Sequence, residues 1–118
     1  MIDNKGTFTV IKDTPLDYMV VYYNPDGVTP IDLKDYKAIT RVKENINDET
    51  ALIELTTENG GMELGGIDGT IRWIMSKSAT AAIDIHEGIY DVFLINTADN
   101  NKEDPLIFNK KFYSPERV

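Results

Sequence analysis

Short runs of alternating apolar and polar residues, broken repeatedly by turn-forming residues, dominate this chain. Thr7-Phe-Thr-Val-Ile11 alternates as a half-buried strand does, and Lys12-Asp-Thr-Pro15 breaks it. Leu16 to Tyr23 forms the next strand, closed by the turn Asn24-Pro-Asp-Gly27. The passage Thr29-Pro-Ile-Asp-Leu-Lys-Asp-Tyr36 then carries the chain onward without any cluster of reactive groups. From Tyr36 to Lys43 one face holds Tyr36, Ala38, Thr40 and Val42, and the other holds Lys37, Ile39, Arg41 and Lys43. The second, basic face is expected to meet solvent.

Glu44 to Thr50 reads as a polar loop, with a capped helical turn at Asn47-Asp-Glu-Thr50 as the alternative. Ala51 to Thr56 and Met62-Glu-Leu64 read as strands, the latter bracketed by Asn59-Gly-Gly61 and Gly65-Gly66. Thr70 to Met75 alternates, with Ile71, Trp73 and Met75 on the apolar side. Ser76-Lys-Ser-Ala-Thr-Ala-Ala82 is Ala-rich and Ser-capped but too short to stand alone, so it is expected to be a helical corner joining two strands. Ile89 to Ile95 gives the strongest strand, Thr97 to Asp104 a polar loop, and Pro105 opens a last strand, Leu106 to Tyr113. About seven to nine short strands with turn signals roughly every eight to twelve residues predict an all-β sandwich or barrel. With no linker, low-complexity tract or internal repeat, residues 1–118 are expected to form a single domain.

Composition narrows what such an object can do. A chain of 118 residues buries about two thirds of its unfolded surface, enough for an ordinary core. Without cysteine it has no disulfides, thiolate metal sites or cysteine nucleophile. Twenty acidic residues face twelve basic ones, a net charge of −8, and only Lys110-Lys111 are adjacent. Nucleic-acid binding depends on Lys and Arg neutralising phosphates, so a nucleic-acid partner is not expected. The charge supports solubility, and its sharper reading is docking onto a basic partner. Met1 to Phe8 lacks the basic and apolar regions of a secretory signal, and no apolar run approaches the ~18 residues of a membrane span. Synthesis in the cytoplasm without a signal peptide, and no membrane partner, are the expectations.

Candidate chemistry is sparse. His86 is the only histidine and lacks the neighbours that acid-base or metal chemistry requires, so a loop role is expected. Ser76, Ser78 and Ser114 sit in no nucleophile elbow, and the Ser76 hydroxyl is better explained as a helix cap. Asp99, Asn101 and Glu103 offer oxygens at alternate positions, as a hard cation wants. Asp104 and Lys110 nevertheless stand where an EF-hand needs Gly and Glu. The glycines between Gly60 and Gly69 fit strand turns rather than a phosphate loop. Tyr22, Tyr23, Tyr36, Tyr90 and Tyr113 fall in strand positions and are expected to bury their rings, with Trp73 at the core centre. A carbohydrate platform built on Trp73 or exposed tyrosines is the alternative. No catalytic residue, cofactor site or metal site is assigned. The candidate partner contacts are two polar loops, Asn45, Asn47, Asp48 and Glu49 in one, and Asp99, Asn100, Asn101, Glu103 and Asp104 in the other.

The order of these signals carries a resemblance over nearly the whole chain. Lys12-Asp-Thr-Pro15, Asp26-Gly27, Thr29 to Tyr36 and Leu52-Ile-Glu-Leu-Thr-Thr-Glu-Asn-Gly-Gly61 are followed by Asp68-Gly-Thr-Ile71, Ser76 to Ala82 and Gly88-Ile-Tyr-Asp-Val92. This series resembles small phage and prophage virion proteins, including the N-terminal domain of the baseplate upper protein family. Two departures stand out. Lys34-Asp35 replaces the usual Thr-Gly, so the turn before Tyr36 must form without glycine, and Asn109 to Pro115 lacks the common late glycine. The resemblance implies an immunoglobulin-like β-sandwich serving as a non-enzymatic virion part, in several copies, contacting tail, baseplate or neck subunits. A carbohydrate- or receptor-binding module and a capsid decoration or head-fibre protein are the alternatives. It carries over no catalytic residue, because the family's motif positions are structural.

Overall fold

Ile71, Trp73 and Met75 point inward from one face of a single strand, and both sheets are organised around that face. The computed structural model describes Met1–Arg117. In chain order its elements are β1 (Phe8–Thr9), β2 (Leu16–Val21), β3 (Tyr36–Lys43), β4 (Ile53–Thr56), β5 (Met62–Leu64) and β6 (Thr70–Met75). A helix α1 (Lys77–Ala81) and strands β7 (Glu87–Asn96) and β8 (Lys102–Tyr113) follow, and a short 3-10 turn at Gly66–Asp68 precedes β6. One sheet has five strands in the order β1-β8-β7-β3-β4, and the other three in the order β2-β6-β5. The fold is all-β, with one cluster of buried side chains between the two sheets.

Alternation decides which residues fill that interior. On β3, Ala38, Thr40 and Val42 are buried, while Lys37 and Arg41 face outward and pair with Glu58 at 3.0 Å and Glu54 at 3.8 Å. On β7, Tyr90, Val92 and Leu94 turn inward. Aromatic rings then lock the layers together. Phe8 contacts Trp73, Tyr90 and Phe112 at centroid distances of 5.9, 5.3 and 6.1 Å, and Tyr18 stacks on Trp73 at 5.9 Å. Such contacts favour particular ring geometries beyond simple area burial.

A polar joint runs through this apolar layer. The Trp73 indole Nε1 donates to Thr40 Oγ1 at 2.9 Å, and that hydroxyl donates to Met62 Sδ at 3.2 Å. Trp73 is fully buried, as is Thr40, so β6 and β5 of one sheet are keyed to β3 of the other through groups with no access to water. Leaving such a group unmatched is costly.

The connections follow their turn residues. Ser76 accepts from the Ala79 amide at 3.1 Å and caps α1, which carries the chain from β6 in one sheet to β7 in the other. Thr80 anchors this corner. Its hydroxyl donates to the Thr14 carbonyl at 2.7 Å and accepts from the Thr14 amide at 3.0 Å. Gly69 must be glycine because its φ is +67° and a Cβ there would lie 2.6 Å from the Tyr22 carbonyl oxygen. The passage Thr29–Tyr36 closes through a hydrogen bond from the Tyr36 amide to the Leu33 carbonyl at 3.0 Å, while Asp32 accepts from the Lys34 amide at 3.0 Å. Neither Lys34 nor Asp35 has positive φ, so this turn needs no glycine.

Several boundaries differ from the sequence expectation. The first strand is regular only at Phe8–Thr9, where it pairs parallel with β8. Beyond it, the Val10 amide still donates to Tyr113 and the Lys12 amide to Pro115, both at 3.0 Å. The helical-turn alternative at Asn47–Thr50 is not adopted, since no helix forms there. The last strand begins at Lys102 rather than Leu106, because the β7–β8 hairpin already pairs from Asn96 opposite Lys102 to Phe93 opposite Pro105, where the register then shifts. Proline is tolerated there because β1 covers β8 only at Phe112 and Tyr113, leaving the earlier stretch as an edge.

The joint yields a direct expectation. Thr40→Val, nearly isosteric, strands the buried Trp73 N–H and should cost about 1–3 kcal/mol in urea unfolding. Trp73 emission in the folded wild type should be nearly insensitive to iodide. A neutral Thr40→Val variant, or free quenching, would refute the joint.

Candidate functional site

The two polar loops proposed as contact surfaces lie at opposite ends of the larger sheet. Tyr36 pairs with Asn96 at one end of β3 and Lys43 with Ile89 at the other. The loop after β7 therefore projects beyond the first end, and the loop after β3 beyond the second, on the order of 25 Å apart at the usual strand rise. The structure does not bring the two sets of residues together.

At the Lys43 end, the Asn45 amide donates to Asp48 Oδ2 at 3.0 Å, and the Asp48 amide to the Asn45 carbonyl at 3.1 Å. Asp48 is thus half-buried and occupied in holding its own turn. Asn45, Asn47 and Glu49 remain exposed, next to Ile46 at 57% exposure. At the Tyr36 end, Asn100 and Asn101 both have positive φ, +51° and +57°, and the Lys102 amide closes the turn on the Asp99 carbonyl at 2.9 Å. Asn is among the residues that tolerate this left-handed conformation best. Asp99, Asn100 and Asn101 are exposed on this tip. Glu103 and Asp104 belong instead to β8, and Asp104 is half-buried. Their polarity marks an edge strand rather than a loop.

The Tyr36 end also gathers other acids. Asp35 lies beside the β7–β8 tip, its carbonyl accepting from the Thr97 amide at 2.9 Å and the Thr97 hydroxyl at 2.7 Å. Glu58 comes to Lys37 of the same end. In the Asn24–Gly27 turn, Asp26 accepts from the amides of Thr29 and Val28, both at 2.9 Å, and from the Thr29 hydroxyl at 2.7 Å. These bonds, the Thr29 amide first, hold its carboxyl below the usual carboxylate range.

The single-residue candidates have structural places. His86 is exposed, with Nδ1 3.4 Å from both Lys12 Nζ and the Ser114 carbonyl oxygen. Ser114 is buried and donates to the Val10 carbonyl at 2.7 Å, and Ser76 is the helix cap. Among the described residues, no three His, Asp or Glu side chains are placed to hold a metal ion together. The aromatic platform fails at Trp73, which has no exposed surface. The tyrosines divide: Tyr90 is buried, Tyr22 and Tyr36 are half-buried, and Tyr23 and Tyr113 are exposed at 52% and 39%. Tyr23 lies beyond the end of β2 with the outward parity, so its ring is not in the core. No helix among the described residues is long and apolar enough to cross a membrane. No protein-family model and no curated protein matches the chain.

Two surface features escaped the sequence. Arg72 spans the outer face of the smaller sheet, its guanidinium bonding both Asp17 carboxylate oxygens at 2.7 and 2.6 Å and Glu63 Oε1 at 3.1 Å. Their outward parity was legible, but the register that aligns three strands was not. An apolar groove of about 540 Å³ also opens between β4 and α1, lined by residues including Leu52, Leu55, Met75, Ala79, Ile83 and Ile85. Its signal was Leu52, Ile83 and Ile85 standing just outside strand and helix ends.

Asp26 supplies a pH expectation. Its folded pKa lies below the unfolded value, so the turn's contribution is complete above about pH 4 and is lost as pH falls through the folded pKa. The Val28 and Thr29 amide resonances should stay fixed from neutral pH to about 5 and shift together only below about 4. Asp26→Ala should abolish that step. A midpoint at or above the ordinary Asp value would contradict the hydrogen-bonded turn.

Proposed function

We propose that this protein is a non-enzymatic structural component of a bacteriophage virion, an adaptor that joins neighbouring tail, baseplate or neck subunits through an immunoglobulin-like β-sandwich. The observation that carries this reading is the placement of its exposed polar loops at opposite ends of one rigid sheet, the arrangement a body touching two neighbours requires. The chain's changes of sheet support the sandwich: β2 in the smaller sheet, β3 and β4 in the larger, then β5 and β6, then β7 and β8. The ordered resemblance from Lys12-Asp-Thr-Pro15 to Gly88-Ile-Tyr-Asp-Val92 supports the phage assignment.

The chemistry of the side chains is consistent with assembly rather than turnover. The hydroxyls of Ser76, Thr80 and Ser114 and the carboxylates of Asp26 and Asp48 are committed to caps, corners and turns. Asp35 and Asp99 are exposed at the Tyr36 end and join no ion pair among the described residues, which suits a basic surface on the neighbouring subunit. Exposed contacts of this kind are individually modest, and repeated copies in a particle make them firm.

The test is incorporation. Mass spectrometry of purified particles from the phage or prophage that encodes the chain should find it in stoichiometric amounts. Charge reversal at the tip, Asp99→Lys with Asn101→Lys, should lower its occupancy without altering its urea midpoint. Particles complete and infectious without any copy of the chain would overturn the assignment.

A further inference from the structure

The chain leaves one of its sheet edges unprotected, and the others show what protection looks like. Along β8 the open stretch carries Pro105, charges at Lys102, Glu103, Asp104, Lys110 and Lys111, and a bulge. At that bulge Asn109 has a φ of +52° and its amide turns back to Asp91 Oδ1 at 2.7 Å. β4 and β5, the edges on the far side, have four and three residues. Short, charged, bulged or proline-bearing edges are the usual devices against strand-to-strand pairing.

β2 is longer than β4 or β5, has no bulge or internal proline, and carries one charge, Asp17. Its six residues pair in unbroken register with β6, from Leu16 opposite Met75 to Val21 opposite Thr70. The Tyr22 amide donates to the Gly69 carbonyl at 2.9 Å, and the Gly65 amide to the Thr70 carbonyl at 3.0 Å. These bonds fix the parity of both ladders: Leu16, Tyr18, Val20 and Tyr22 direct their backbone groups at β6. Asp17, Met19, Val21 and Tyr23 therefore aim theirs at the free edge, and among the described residues nothing hydrogen-bonds to them. The side chains of this row are exposed as well: Met19 at 57%, Val21 at 39% and Tyr23 at 52%. The single charge in the row, Asp17, is already neutralised within the sheet by the two-oxygen clasp of Arg72.

We propose that this edge pairs antiparallel with the same edge of a second copy of the chain, about a two-fold axis at Val20. Asp17 then stands opposite Tyr23 of the second copy and Met19 opposite Val21, so all the outward backbone groups of the row meet a partner. A register centred on Met19 would instead bring Tyr23 against Pro15, which has no N–H, and lose that rung. The Val20 register sets Met19 and Val21 of both copies in one apolar strip. It keeps the two Asp17 carboxylates at opposite ends of the ladder, on the order of 20 Å apart. The identical-edge partner is favoured because this row matches itself in hydrogen bonding, apolar pairing and charge at once. The product is a continuous sheet in the order β5-β6-β2-β2-β6-β5, whether or not the protein belongs to a virion.

Sedimentation velocity of the purified chain over a concentration series should show a monomer–dimer equilibrium. Met19→Pro removes an outward N–H while sparing every β2–β6 hydrogen bond, and should weaken dimerisation by about tenfold or more. The chain has no cysteine, so Met19→Cys combined with Val21→Cys gives a register test that does not depend on the proline variant folding. Mild oxidation should yield a covalent dimer by intact mass, whereas Tyr23→Cys alone should not cross-link, because those positions lie at opposite ends. A wild type that stays monomeric to millimolar concentration overturns the proposal. So does a folded Met19→Pro variant that dimerises as the wild type does, or cross-linking through Tyr23→Cys alone.

Discussion

The hydrogen bond from Trp73 to Thr40 is the constraint on which the arrangement of the two sheets depends. Apolar contacts alone specify less, since a core accepts one hydrophobic residue for another as long as volume and pattern are kept. A buried N–H with a single acceptor is not tolerant. It fixes β6 over β3 to within a hydrogen-bond length, and the shared hydroxyl brings Met62 of β5 to the same point. Tyr18 and Phe8 both pack against the indole held at that position. One polar contact fixes the centre of this core, and aromatic and aliphatic side chains fill the space around it.

With the sheets fixed, the surface divides by how its residues are employed. Turn-forming polar groups are mostly tied down: Asp26 by two amides and a hydroxyl, Asn59 by the amides of Thr56 and Gly61, Asp48 by the Asn45 amide. Among the places left exposed are the hairpin tip at Asp99–Asn101, part of the β3–β4 loop, and the outward row of β2. These three places face different directions. The groups left exposed are thus spread over the surface, and the apolar groove between β4 and α1 is separate from all three.

Much of this was legible in the chain and some of it could not be. Period-two alternation placed Ile71, Trp73 and Met75 inward and Lys37 and Arg41 outward, because a strand's parity is local information. The Ser76 cap and the Asn24–Gly27 turn were equally local. Register is not local. That Thr40 would be the acceptor for Trp73, or that Asp17 and Glu63 would converge on Arg72, depends on alignments between segments far apart in sequence. Lys102 to Asp104 looked like loop because an edge strand with both faces wet has no apolar alternation to show. Tyr23 misled for the opposite reason: an aromatic after a strand is attractive as core, but the residue next to inward Tyr22 must point out.

The parallel pairing of β1 with β8 has a consequence of another kind. Phe8 lies against Phe112, and the Ser114 hydroxyl closes on Val10 across a separation of 104 residues. The residues up to Ser114 must therefore emerge from the ribosome before β1 can find its place. Until then Phe8 and Val10, both fully buried in the finished protein, have no pocket to enter. Contacts closed over so long a loop are slow to form, and apolar segments left waiting are the ones that associate wrongly. β1 is in this sense a latch, made well before the strand that seats it.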